Sequence, residues 1–266
     1  KLNKTSVADG VRIDWRNATT EPSTTTNLLP SLDIDSALDV HASGDVALNA
    51  LSGVLVAKAG FSLDLGQVST SAASNGVTFT NASAVSLSLT NAQLFVGTGG
   101  SLSNATSTAN VVNGTLGFAG TVPSLKLVSI KDPGVDRAPT ALTDDKSYLG
   151  VEVSGLSADL IGLESVLEFH AGNVSLKVNK ATDADNNVAT VPAKLDWDSL
   201  TTTGLPLAAL DIDSALDVHA SGNVALNALS GVLVAKAGFS LDLGQVSTSA
   251  ASNGVTFTNA SAVSLS

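Results

Sequence analysis

Apolar and polar residues alternate along most of the chain. In Phe61-Ser62-Leu63-Asp64-Leu65 the odd positions are apolar and the even ones polar, and the same period runs through Val77-Thr78-Phe79-Thr80, Val85-Ser86-Leu87-Ser88-Leu89, Leu149-Gly150-Val151-Glu152-Val153-Ser154 and Val174-Ser175-Leu176-Lys177-Val178-Asn179. A period of two sends successive side chains to opposite faces, so each stretch is predicted to be a strand with one buried and one wet face. The breaks are short and turn-like: Ser43-Gly44-Asp45, Ser52-Gly53, Ser74-Asn75-Gly76, Gly99-Gly100 and Asn113-Gly114. Such links join antiparallel neighbours, which predicts a meander of hairpins. Helical periodicity is scarce; the best candidate, GLSADLIGLESV at 155–166, reads equally well as two strands around Ile161-Gly162. Segments 18–31, 101–110 and 131–147 read as loops or linkers.

The chain also repeats itself. Residues 32–88 return as 210–266 with a single change, Asp45 to Asn223, an offset of 210 − 32 = 178. Both residue types suit a tight turn, which places the change at the predicted Ser43-Gly44-Asp45 turn. A fixed long period calls for reading the fold per repeat. The division is a tail of one repeat at 1–31, a complete β-repeat at 32–209 and the start of the next at 210–266. Smaller echoes lie inside: the stretch from Leu38 to Val46 resembles that from Leu167 to Val174, and LNKTSVADGVRIDW from Leu2 looks like a shortened VNKATDADNNVATVPAKLDW from Val178. The expected fold is all-β, an elongated tandem-repeat array of antiparallel hairpins with a continuous core; the alternative is a string of β-sandwich domains.

Composition narrows the function classes. The formal charge is −11 with only 13 Lys and Arg, which argues against a phosphate-backbone partner, so no nucleic acid is expected. No cysteine occurs, so stability must come from burial and backbone pairing. No run approaches the length of a membrane-spanning helix, and no membrane span is expected. Charged residues make up 14 % against 44 % hydrophobic, which leaves much of the surface neutral and suits units that bury their ends against neighbours. Position 1 is not methionine, so the chain reads as a piece of something longer.

With its Gly-Asn-Val hairpin steps at Gly172 and Gly222, LFVGTGG at 94–100 and VNKA from Val178 followed by LDW from Leu195, the chain resembles the tandem-repeat regions of giant bacterial surface proteins of the LEPR-XLL and RTX-adhesin kind. The resemblance implies an extracellular or cell-surface, elongated protein with adhesive or scaffolding duty, and it brings no catalytic residues.

Candidate chemistry is sparse. Asp33, Asp35, Asp39 and His41 read as one polar strand face, repeated at Asp211, Asp213, Asp217 and His219; they make either a cation site or an acidic solvent face. All three histidines, His41, His170 and His219, precede a glycine in a shared context, which reads as an inherited hairpin with no serine nucleophile assigned. Asp183, Asp185 and Asn187 match the first half of a calcium loop, but Val188 and Lys194 stand where the glycine and bidentate glutamate belong, so calcium is weighed there against an Asx-rich turn. No phosphate-loop, nucleophile-elbow or zinc-protease pattern occurs, and the expectation is a non-enzymatic chain. Its expected partners are copies of itself or adjacent repeats, in a filament or adhesin. The rival is a binding module for cell-surface polysaccharide or another extended ligand, with Trp15, Trp197 or Tyr148 stacking on it.

Overall fold

The structure is a computed structural model that describes residues 1–5, 11–18, 32–106, 108–134, 144–183, 192–251 and 253–266. Its strands in chain order are β1 Leu38–Ala50, β2 Leu55–Thr70, β3 Ala82–Thr98, β4 Ser101–Leu102, β5 Val111–Val112, β6 Leu116–Asp132, β7 Lys146–Ile161, β8 Leu167–Asp183, β9 Thr202–Gly204, β10 Leu216–Ala228, β11 Leu233–Val246 and β12 Ala260–Leu265. They form one antiparallel sheet in the order β1-β2-β3-β6-β7-β8-β10-β11-β12, with β9 added to β2; β4 and β5 make a separate small hairpin. The all-β expectation holds, and the described residues form one large open sheet instead of a string of sandwiches. No helix among them is long and apolar enough to cross a membrane.

Turn chemistry accounts for most of the connections. Asn75 and Gly76, with φ of 48° and 78°, form a two-residue turn between the bridged Ser74 and Val77. The 155–166 stretch completes β7, turns at Gly162 (φ 90°) and enters β8 at Leu167. One predicted turn is wrong. Ser43-Gly44-Asp45 lies inside β1, where Gly44 faces Phe61 and Asp45 faces Gly60 across the ladder. The alternation continues unbroken from Ala42 to Val46, and the glycine spares Phe61 a neighbour on its own face. The single difference between the copies, Asp45 against Asn223, is therefore mid-strand.

Residues paired across strands share a face, so the register sorts the sheet. On face one, two rows run across nine strands without a polar side chain. They are Ala42-Leu63-Leu87-Leu127-Val151-Val178-Val218-Leu243-Val263 and Gly44-Phe61-Leu89-Leu125-Val153-Leu176-Ala220-Leu241-Leu265. Face two carries a polar row between them, Ser43-Ser62-Ser88-Lys126-Glu152-Lys177-His219-Asp242-Ser264. This row starts at Ser43 and arrives at His219, whereas the repeat partner of Ser43 is Ser221; the register slips by two residues (221 − 219) per repeat. Halfway along the strands, β3 and β8 take an extra residue relative to β2 and β10, at Asn91 (φ 50°) and Asn173 (φ 52°), and Gly155 (φ 70°) makes the matching step in β7 beside Pro123 of β6. These aligned bulges keep the strands in phase beyond them.

The buried core lies on face two. Leu38, Val68, Ala82, Ala84, Val128, Ile130 and Tyr148 are covered by Leu195, Trp197, Leu205, Leu210 and Ile212 from the connection between β8 and β10, with Phe79 alongside. Gly150 makes this possible, because a Cβ there would lie 2.5 Å from Leu210 Cδ1 and 2.8 Å from Trp197 Cε2. A second cluster, Val56, Phe95 and Ala119, is covered by Leu102 and Val111 of the β4–β5 hairpin. Among the described residues face one has no such cover: Phe61, Leu63, Leu87, Leu125 and Leu127 are half-buried, and Leu48, Leu94 and Phe118 towards the strand ends are exposed.

Candidate functional site on the polar face

Face two concentrates the polar chemistry that the strands place side by side. At its centre the crossing segment is fastened from below. Lys126 Nζ donates to the Ala209 carbonyl at 2.8 Å, the Asp211 amide donates to Glu152 Oε2 at 2.9 Å, and Lys177 Nζ pairs with Asp211 Oδ2 at 2.8 Å. The Lys177 ammonium holds the Asp211 carboxyl below its ordinary range. These groups act as fasteners of the crossing segment.

The three histidines share one geometry. His41 meets Asp64, His170 meets Asp159 and His219 meets Asp242, each through Nδ1 to Oδ1 at 2.6 Å between directly paired residues. A carboxylate only accepts, so Nδ1 carries a proton and donates it. Ser43 Oγ lies 3.2 Å from His41 Nε2 and Ser221 Oγ 3.0 Å from His219 Nε2. The connectivity Asp-His-Ser is that of a hydrolytic triad. The setting differs: each serine sits two residues along a flat strand, and β10 is hydrogen-bonded on both edges by β8 and β11. Its amides are therefore committed to the ladder and do not converge on an oxyanion. His170 has Gly172 at the corresponding position and no hydroxyl partner of this kind. Sequence reading missed the aspartates because they lie on the neighbouring strand.

The carboxylates expected on one face with His41 are dispersed. The strand begins only at Leu38, and Asp35 instead caps the turn before it through the Ala37 amide at 2.7 Å, as Asp213 does through Ala215 at 2.6 Å. Asp33 pairs with Lys1, Asp39 with Arg12 and Asp217 with Lys194, while Asp35 shares Arg16 with Asp14. The Lys1 ammonium lowers the Asp33 pKa, and Asp14 is brought down to about 2 by its hydrogen bonds to Arg16. Among the described residues no group of three or more His, Asp or Glu is placed to hold a metal ion. Asp183 is buried at the end of β8, paired across to Lys146, and Asp185 and Asn187 lie outside the described residues.

Two of the aromatic residues considered for ligand stacking are inside the protein. Trp197 is 5 % exposed and Tyr148 1 %, Tyr148 packing on Phe79 with ring centroids 6.3 Å apart. Burial also pushes the Tyr148 hydroxyl pKa upward. The Trp197 indole N–H donates to Asn179 Oδ1 at 3.0 Å, while Asn179 Nδ2 donates to the carbonyls of Leu195 and Asp213. The N-terminal segment repeats this network. The Trp15 indole donates to Asn3 Oδ1 at 3.1 Å, and Asn3 Nδ2 donates to Ile13 and Asp35. Leu2 bridges Val40 just as Val178 pairs with Val218. The degenerate sequence echo between these stretches thus has the same hydrogen bonds at its centre. No protein family, characterised protein or solved structure matches the chain.

Proposed function

We propose that the chain is a structural repeat module of an extracellular filament or giant surface adhesin, adding copies edge to edge and so giving length and a repeated attachment surface. The observation that carries this reading is the passage of the sheet from β8 into β10 without a break, β10 and β11 being the same strand pair as β1 and β2 in the same register. Repeats that share a sheet bury their ends on one another. The apolar rows of face one, half-buried for the most part and without a covering layer among the described residues, support lateral association, since contiguous apolar surface is characteristic of interaction sites. The resemblance noted in the sequence is the support for an extracellular setting. The reading is non-enzymatic: the polar groups of face two are engaged in fastening the crossing segment and in cross-strand pairs.

Electron microscopy of chains carrying one, two and three 178-residue units tests it. Each unit contributes six strands, so particles lengthen by about 29 Å per unit at the usual strand spacing. Particles whose longest dimension stays constant as units are added would refute the reading.

A further inference from the structure

The repeated stretch is folded twice, but its two copies have different surroundings at one place. In the first copy, segment 201–208 lies on the edge of β2. There β9 pairs with Val68, Ser69 and Thr70, the Leu205 amide donates to the Gln67 carbonyl, and the Ser71 amide donates to the Thr201 carbonyl, both at 2.9 Å. The Ala208 amide donates to Ser86 Oγ, also at 2.9 Å. Leu205 is buried among Leu38, Val68, Phe79, Ala82 and Ala84. Gly66 gives it room, since a Cβ there would lie 2.9 Å from Leu205 Cδ1.

In the second copy the same residues are open. Leu216, Gly244, Gln245, Val246, Ala262 and Ser264 line an apolar groove of about 310 Å³. Val68 is 1 % exposed and its repeat partner Val246 45 %; Phe79 is 4 % exposed and Phe257 42 %. Among the described residues, β11 has no counterpart of β9 on this edge.

We infer that this groove is a docking site for an extended Thr-Thr-Thr-Gly/Asn-Leu segment of a further repeat unit, which a second molecule of the 266-residue chain can supply. The occupant is read from the first copy, where residues identical to those of the groove already hold such a segment. The mode is strand addition: backbone bonds to the β11 edge supply affinity, and the leucine pocket beside Gly244 supplies selectivity. The chain carries a second sequence of this type, TTTNLLPS at 24–31, ahead of its first copy, as TTTGLPLA at 201–208 stands ahead of its second. Segment 201–208 docks on the copy that precedes it, so by the same rule the 24–31 sequence of one molecule fits the second copy of another. The inference rests on the repeat reading only in treating the two copies as equivalent.

The test is fluorescence anisotropy of a labelled synthetic peptide of residues 199–212 against the purified 266-residue chain. The first copy keeps its own tethered segment, whose effective concentration is of millimolar order, so the peptide is expected to bind saturably at one site per chain. Val246→Lys in the chain, at a side chain already half-exposed, is expected to weaken binding about tenfold or more, and Leu205→Asp in the peptide to do the same. Circular dichroism checks that the Val246→Lys chain keeps its fold. Sedimentation should show association of the chain that the unlabelled peptide reverses. Absence of saturable binding, equal binding to the Val246→Lys chain, or association of the Leu127→Lys chain, which lacks the face-one contact, that is indifferent to the peptide overturns the inference. Fixed length increments in the microscope without peptide binding would remove the groove and leave the repeat reading standing; peptide binding without increments would do the reverse.

Discussion

Asn179 and Trp197 meet inside the protein, the indole N–H donating to the amide oxygen at 3.0 Å while the amide nitrogen serves two backbone carbonyls. Replacing Asn179 by Leu strips the indole N–H and the Leu195 carbonyl of these partners in a buried site, while the Asp213 carbonyl keeps the Leu216 amide at 3.3 Å. The expected loss is about 2–4 kcal/mol, read from urea unfolding. Asn3→Leu removes the twin network, whose Trp15 is only half-buried, and is expected to cost about half as much.

Gly150 lies under Trp197 and Leu210, so Gly150→Ala forces a methyl into both side chains and should destabilise by about 1–3 kcal/mol. At Gly172 nothing lies within 4 Å of the added carbon, and Gly172→Ala should change the unfolding midpoint little. Equal effects at the two positions would contradict the packing of the crossing segment.

Tyr148 is the single tyrosine of the chain, which makes its ionisation directly visible in the ultraviolet. Its pKa is raised by burial, so the folded state holds the phenolic proton more tightly than the unfolded state. That contribution is complete below the ordinary tyrosine pKa of about 10 and is lost as the pH rises towards the folded value. Tyrosinate absorbance should therefore appear together with alkaline unfolding, and Tyr148→Phe should remove the fall in stability above about pH 10. Tyrosinate appearing in folded protein near pH 10 would show that the ring is accessible.

The His219–Asp242 pair is partly solvent-exposed, with side chains 26 % and 47 % accessible. A double-mutant cycle should give a coupling below about 1 kcal/mol. A fluorophosphonate probe is expected to leave Ser221 unlabelled, since the amides of β10 are paired on both edges and do not converge on an oxyanion beside it. Labelling of Ser221 that disappears with His219→Ala would overturn the non-enzymatic reading.

Lateral association through face one should survive about 1 M salt, where the Debye length is only about 3 Å, and should be abolished by Leu127→Lys in the middle of an apolar row. Dissociation by salt alone would place the contact on ion pairs such as Lys177–Asp211.

Much of the sheet was legible because alternation and turn residues are local signals: Asn75-Gly76 and Ser52-Gly53 mark hairpin centres on their own. The second of these also contained the His41–Asp64 pair, since the two residues are each eleven residues from the Ser52-Gly53 centre and so face each other. Other features could not be read this way. The burial of Trp197 depends on a connection returning over Gly150, and Gly44 at mid-strand looks like a turn unless the row it completes is known. The fate of Asp35 was set by a turn, the strand beginning at Leu38 and not at Leu32 as the alternation suggests.

The two-residue slip in register has a geometric outcome for any longer assembly of these units. Six strands advance about 29 Å across the sheet while the register moves about 7 Å along the strands. Successive units are thus displaced sideways as well as forward, and the direction of growth inclines about 13° from the perpendicular to the strands. Such a sheet would extend as an oblique ribbon, with equivalent residues of neighbouring units falling on slanted lines.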